Sequence, residues 1–376
     1  MRSPAGIGVA DGWTLASGAE ASSEAEGAPP DRSAAVAIFL AGTLALALFA
    51  ALLPKEVVAR GDDRIYEDIA NHPFATHTFP FGFRLGLPLL VHVLPFAHSS
   101  SFTVLAWLAA GAAAAFAYLL MRELGAPWRL AAALALALSI SPPFLIVALR
   151  HGRNTDIATV ALMLAATYFV VRRAYWQLAV TLLIGASVRE AVLFIVPFAY
   201  AIWAVRPIDR AAAARTAVTA LPALVLYAAI RLGVHTVGEA QVPGYGGSLI
   251  SERFTVIKLG LQSAFQEARR LFTVYGPLWL IAPLALREMS FARRGLVLIA
   301  LCALAMTFAL DWGRMALLGA PVFYPAGAFV LSRRPRWCAP VLASLLLLAV
   351  VYGVYMGVSG VRTGIIENPA PPYPVR

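Results

Sequence analysis

The sequence predicts an all-α polytopic membrane protein of about eleven transmembrane helices, with a large outer loop after the first. Three observations carry this. Of the 376 residues, 60% are hydrophobic and only 13% are charged, about half the charged share of an ordinary soluble domain. Apolar runs near bilayer-crossing length recur along the chain. Arginines gather in alternate connections between those runs. The formal net charge of +10 does not point to nucleic acid, because the basic residues fall into small groups between apolar runs and build no basic face. The two cysteines, Cys302 and Cys338, are far apart and lack metal-ligand spacing, which fits two inert thiols.

Residues 1–33 are rich in Gly, Ala, Ser, Pro and Glu without apolar periodicity, and read as a disordered cytoplasmic tail. Ala34 to Leu53 has the length and composition of a retained signal anchor. Further apolar runs follow at Ser101–Met121, Leu130–Leu149, Asp156–Val171, Trp176–Ser187, Ala191–Val205 and Ala211–Leu232. Four more lie at Val274–Leu286, Gly295–Leu310, Met315–Leu331 and Cys338–Val358. Alternate connections carry Arg122 with Arg129, Arg172 with Arg173, Arg206 with Arg210 and Arg215, Arg287 with Arg293 and Arg294, and "RRPR" from Arg333 to Arg336. The positive-inside rule makes these the cytoplasmic turns. The polytopic domain then spans 34–358, with outer loops at 55–100 and 233–273 and an extracytoplasmic tail at 359–376.

The outer connections have a different chemistry. "RGDDRIYEDIA", Arg60 to Ala70, carries four carboxylates; "RHGRNTD" runs from Arg150 to Asp156; Arg189 adjoins Glu190; and "DWGR" runs from Asp311 to Arg314. Acidic residues and arginines thus collect on one side of the membrane. Between Arg173 and Arg206 the chain must go out and back in about 30 residues. Each arm of about twelve helical residues spans only about 18 Å of a core of roughly 30 Å. Arg189 and Glu190 would then sit below the outer surface, which is tolerated where a charged turn lines a wet or protein-walled cavity. A single tilted helix with a self-satisfied Arg-Glu pair is the alternative.

Other residues have plainer readings. Asp62 and Asp63 can cap the amphipathic stretch Ile65–Ala70, and Glu67 and Asp68 read as solvated face charges. Asn154, Thr155 and Asp156 suit an N-cap, and Asp311 with Arg314 suits an i to i+3 ion pair. His72, His77, His92 and His98 lack metal spacing. The segment His235–Thr273 ends in an amphipathic stretch with Phe254, Ile257, Leu261, Phe265 and Leu271 at helical spacing, which suits a surface helix.

The order of these features resembles the GT-C superfamily of membrane glycosyltransferases. The matching pieces are a first helix followed by a large outer loop with Asp62, Asp63 and Tyr66, then "PFGFRLGLPLLVHVLP" (Pro80 to Pro95), "RNTD", the "VRE" hairpin tip and "DWGR". Roughly Ala34 to Leu331 is covered, and the pattern is similar to bacterial members of cell-surface polysaccharide formation. The resemblance implies a GT-C-like fold in the bacterial inner membrane and transfer of a sugar from a polyprenyl-phosphate carrier to a glycan or lipid acceptor on the outer face. It implies a carboxylate base in the first outer loop, Asp62 or Asp63, and a substrate-binding set of Tyr66, Arg84, Arg150, Arg153, Asn154, Asp156, Arg189, Glu190, Asp311 and Arg314. Guanidinium suits the carrier phosphate. No cofactor is assigned and a divalent cation is left open; the partners are the lipid-linked sugar, its acceptor and membrane lipid, with no nucleic acid. A transporter or flippase of lipid-linked sugars, or a non-catalytic subunit of polysaccharide assembly, is the alternative.

Overall fold

The structure, a computed structural model, describes residues 31–53, 62–78, 80–150, 152–237, 264–307 and 312–355. Among the described residues the protein is all-α apart from one two-residue strand pair, and five helical stretches are long and apolar enough to cross a membrane. These five cover Arg32–Leu52, His98–Glu123, Trp128–Leu149, Arg210–Gly233 and Pro335–Tyr352. Shorter apolar helices cover Asp156–Val171, Tyr175–Val188, Glu190–Trp203 and Leu278–Arg287.

Helix α1 (Asp31–Leu52) is followed by a long connection, which holds α2 (Asp62–Asn71), strand β1 (His77–Thr78), a 3-10 turn (Phe81–Phe83) and α3 (Gly86–Val93). The hub of the bundle is α4 (His98–Glu123), which packs against α1, against α5 (Trp128–Ser139) and against α7 (Asp156–Val171). Its buried face is built from Ala110, Gly111, Ala113, Ala114 and Ala117. Lipid tails are as apolar as leucine, so helices in a membrane gain most by close backbone approach over small residues. Gly111 shows how close: a Cβ there would stand 2.5 Å from the Phe39 carbonyl oxygen of α1. On the far face of α1, Val36, Leu40, Leu44, Leu48 and Leu52 are exposed four residues apart, a stripe suited to lipid.

The hairpin is real. Helix α8 (Tyr175–Val188) stops at Arg189, whose backbone is extended, and the chain returns through a 3-10 turn (Glu190–Phe194) and α9 (Ile195–Trp203). The return is fixed at its base, where Trp203 donates from Nε1 to the Val170 carbonyl at 3.0 Å and its ring meets Tyr175 at 5.1 Å. A single tilted helix is thereby excluded. The arms touch closely enough that a Cβ on Gly185 would overlap Val192.

Several arginine-bearing connections meet at one end of the bundle. Arg172 lies 3.8 Å from Glu123, Arg294 donates to the carbonyls of Ala201 and Ile202, and Arg333 pairs with Glu288. The acidic and arginine-bearing connections meet at the other end, as described below.

Some boundaries differ from the expected runs. Leu130–Leu149 is one apolar stretch but two helices, α5 and α6 (Pro142–Arg150), because consecutive Pro142 and Pro143 cannot supply the amide hydrogens of a continuous helix. Helix α10 (Arg210–Gly233) runs unbroken and leads into strand β2 (Thr236–Val237), which pairs in parallel with β1. The run expected at Val274–Leu286 is interrupted at Gly276, where φ is +51°; α11 (Ala264–Tyr275) ends before it, and α12 (Leu278–Ile281) with a 3-10 turn follows. Helix α13 (Ser290–Met306) begins five residues before the next expected run, whose last residues, 308–310, lie outside the described residues. Met315–Leu331 divides at Gly319 into α14 (Trp312–Leu317) and α15 (Ala320–Arg333), and α16 (Cys338–Tyr355) closes the bundle. Most of the amphipathic segment before Leu271, and the expected tails, lie outside the described residues, except that α1 already begins at Asp31. Cys302 is buried, and both cysteines are free.

Candidate functional site

The site forms where α2, the loop before α3, the start of α7, the hairpin tip and α14 converge. Helix α2 begins with Asp62 and Asp63 in its first turn, where carboxylates favour the helix dipole. Before α7, Asn154 Oδ1 accepts from the Asp156 amide at 3.2 Å, a local turn that sets Asp156 at the first position of the helix.

One guanidinium joins these two elements. Arg314, on α14, donates from Nη1 to Asp62 Oδ2 at 2.8 Å and from Nε to Asp156 Oδ2 at 2.5 Å. Asp156 is also ion-paired with Arg189 at the hairpin tip. The order is thus Asp62, Arg314, Asp156, Arg189, alternating in sign. The side chains of Asp62 and Arg314 are 28% and 24% exposed, whereas those of Asp156 and Arg189 are 3% and 5%. The chain of charges therefore opens at Asp62 and Arg314 and is anchored in the interior at Arg189.

A second cluster lies beside it. Arg84 grips Glu190 with two bonds, Nε to Oε2 at 3.1 Å and Nη2 to Oε1 at 2.6 Å, the fork geometry that guanidinium alone provides. Its Nη1 donates to the Tyr66 hydroxyl at 3.0 Å, and that hydroxyl lies 3.3 Å from Thr155 Oγ1. Tyr66 is fully buried, with its ring edge-on to Phe81, and Arg84 stands over the same ring. Tyr66 thus couples the two clusters through Thr155, the residue before Asp156. A third pair, Arg153 with Glu67 at 3.1 Å, ties the turn before α7 to the side of α2.

Burial opposes the charge on Arg84, but Glu190 and Tyr66 outweigh it and hold its guanidinium well above its ordinary range. Asp63 goes the other way. Burial is the main cause pushing its carboxyl up from 3.8 to about 8; Arg153 opposes the rise, and the neighbouring Asp62 adds to it. Adjacency is therefore the smaller part of what separates the two aspartates. Asp62 is partly exposed and ion-paired, while Asp63 is 1% exposed and holds a proton at neutral pH.

Of the residues singled out from the sequence, Asp62, Asp156, Arg189 and Arg314 form the first cluster, Tyr66, Arg84 and Glu190 the second, and Asn154 shapes the turn between them. Arg153 is at the third pair, and Asp63 lies within electrostatic reach of Arg153 and Arg314. Arg150 is the last residue of α6, and Asp311 lies outside the described residues. The local ion pair expected of Arg314 with Asp311 falls outside the described residues, and Arg314 makes contacts across the fold, with Asp62 and Asp156. Glu67 is a correction: it reads as a solvated charge, yet it meets Arg153. The signal for it is its position four residues after Asp63, on the edge of the same helix face. Asp68, by contrast, is 61% exposed. Thr155 was visible only as a cap, and it makes no cap bond. Among the described residues no group of His, Cys, Asp or Glu is arranged to hold a metal ion. The chain matches no family model and no curated protein.

Proposed function

We propose that this protein is a membrane glycosyltransferase of GT-C type, moving a sugar from a polyprenyl-phosphate carrier to a glycan or lipid acceptor on the outer face of a bacterial inner membrane. The observation that carries the reading is Arg314 held between an accessible carboxylate and a buried one, with Asp62 at 2.8 Å and Asp156 at 2.5 Å. In this reading the shorter helices complete about eleven crossings around the five long ones, with the N-terminus cytoplasmic.

Such a transfer needs a base for the acceptor proton and cations for the departing phosphate. Asp62 is the base, because Asp63 is shut away from any acceptor. Arg314 keeps Asp156 through Nε while its Nη1 turns from Asp62 to the phosphate, which releases Asp62 to take the proton. The acceptor oxygen then bonds to the anomeric carbon as the carbon-oxygen bond to phosphate breaks, and the electron pair leaves with the phosphate. Arg84 and Arg189, each bound to a carboxylate, hold this frame. The test is turnover by the purified protein of a polyprenyl-phosphate sugar, read as released polyprenyl phosphate together with sugar on an added acceptor. Release dependent on acceptor supports the reading; intact donor with every acceptor contradicts it.

A further inference from the structure

We propose that the face of α2 turned away from the charge network lines a saccharide-binding cavity. This inference rests on the transferase reading only for the ligand's role as acceptor. Helix α2 is two-sided. Asp63, Tyr66, Ile69 and Ala70 are buried on one face, while Arg64, Asp68 and Asn71 are exposed on the other. That outer face and the hydroxyls of Thr76 and Thr78 line a cavity of about 500 Å³, within the range of small-ligand sites, roughly 300–1,000 Å³.

Its chemistry selects an uncharged, hydroxyl-rich ligand. Guanidinium and amide donors, hydroxyls that donate and accept, and carboxylate acceptors alternate around it. The charges on its walls offset one another in sign. Glu67 faces Arg153 at 3.1 Å, Arg64 and Asp68 are both exposed and of opposite charge four residues apart on α2, and Asp68 lies 3.3 Å from Nδ1 of the buried His77. No net charge of either sign follows from that set, and a sugar matches mixed donors and acceptors. Phe74, in the turn between Asn71 and Thr76, is 90% exposed but lies outside the lining of the cavity.

The cavity is also placed for delivery. Arg64 lies one residue past Asp63 on the first turn of α2, so a glycan held there is about one helix diameter, roughly 10 Å, from Asp62.

The experiment uses the full chain in nanodiscs on a printed array of neutral and anionic oligosaccharides. Neutral glycans are expected to be retained, with Thr76→Val and Asn71→Ala each weakening retention tenfold or more. Both weakening substitutions are at exposed positions, and an unchanged melting temperature shows that the fold is intact. Retention of anionic glycans alone, of none, or undiminished retention by both variants overturns the inference. Retention of a neutral glycan without transfer to it keeps the cavity and removes the transferase reading.

Discussion

At the scale of single residues, the two adjacent aspartates show how position on a helix divides identical side chains. Asp62 reaches Arg314 at the open end of the network, and Asp63, one residue on, is turned inward. The sequence marked the pair but not the division, since a difference of 100° around α2 is decided by what packs against it. The same is true of Arg314. Its neighbours in the chain suggested a local pair with Asp311, which lies outside the described residues, while its contacts to α2 and α7 span 252 and 158 positions and left no trace in the sequence. Asp63 yields a prediction of pH dependence. Its folded value of about 8 lies above the unfolded 3.8, so between those pH values the folded protein carries a proton that the unfolded chain has lost. The associated stability is complete below about 3.8 and is lost as pH rises through about 8. Melting temperature measured across that window is expected to fall with pH more steeply for the wild type than for Asp63→Asn; parallel curves would mean that Asp63 is ionised in the folded protein.

At the scale of elements, the site depends on the connection between α1 and α4 seating against the hairpin tip. Gly86 begins α3 directly after the Arg84–Glu190 grip, and a Cβ there would overlap Ser187 Oγ and come within 3.0 Å of the Ser187 backbone carbon. Gly86→Ala is therefore expected to push α3 off α8 and open that grip, lowering turnover about tenfold and the melting temperature by several degrees. Combining it with Ser187→Gly removes the side-chain part of the overlap and is expected to restore part of both losses; a Gly86→Ala protein with wild-type turnover and melting temperature would show that the two elements are not pressed together. The hairpin itself was legible from charge and length alone, since arginines at both ends left too few residues for two full crossings. The kinks were less so. Pro142 and Pro143 announce a break, but those at Gly276 and Gly319 fall in apolar runs whose composition does not distinguish one helix from two.

At the scale of the whole molecule, several arginine-bearing connections lie together at one end of the bundle and the acidic ones meet at the other, a separation of the kind the positive-inside rule uses to orient a chain. Which helices are long enough to cross was less readable, since hydropathy does not report where a helix starts and stops within an apolar run. In a chain with Cys302 and Cys338 replaced, Phe74→Cys is expected to react with an impermeant maleimide in intact cells, and Arg172→Cys only after permeabilisation. The reverse pattern would invert the molecule in the membrane. The account as a whole turns on one carboxylate at the open end of the charge network. Its most direct test is turnover of a polyprenyl-phosphate sugar by purified Asp62→Asn, with donor binding measured alongside. A loss of about a hundredfold or more with donor binding kept is expected; full turnover by that variant would mean that Asp62 is not the base.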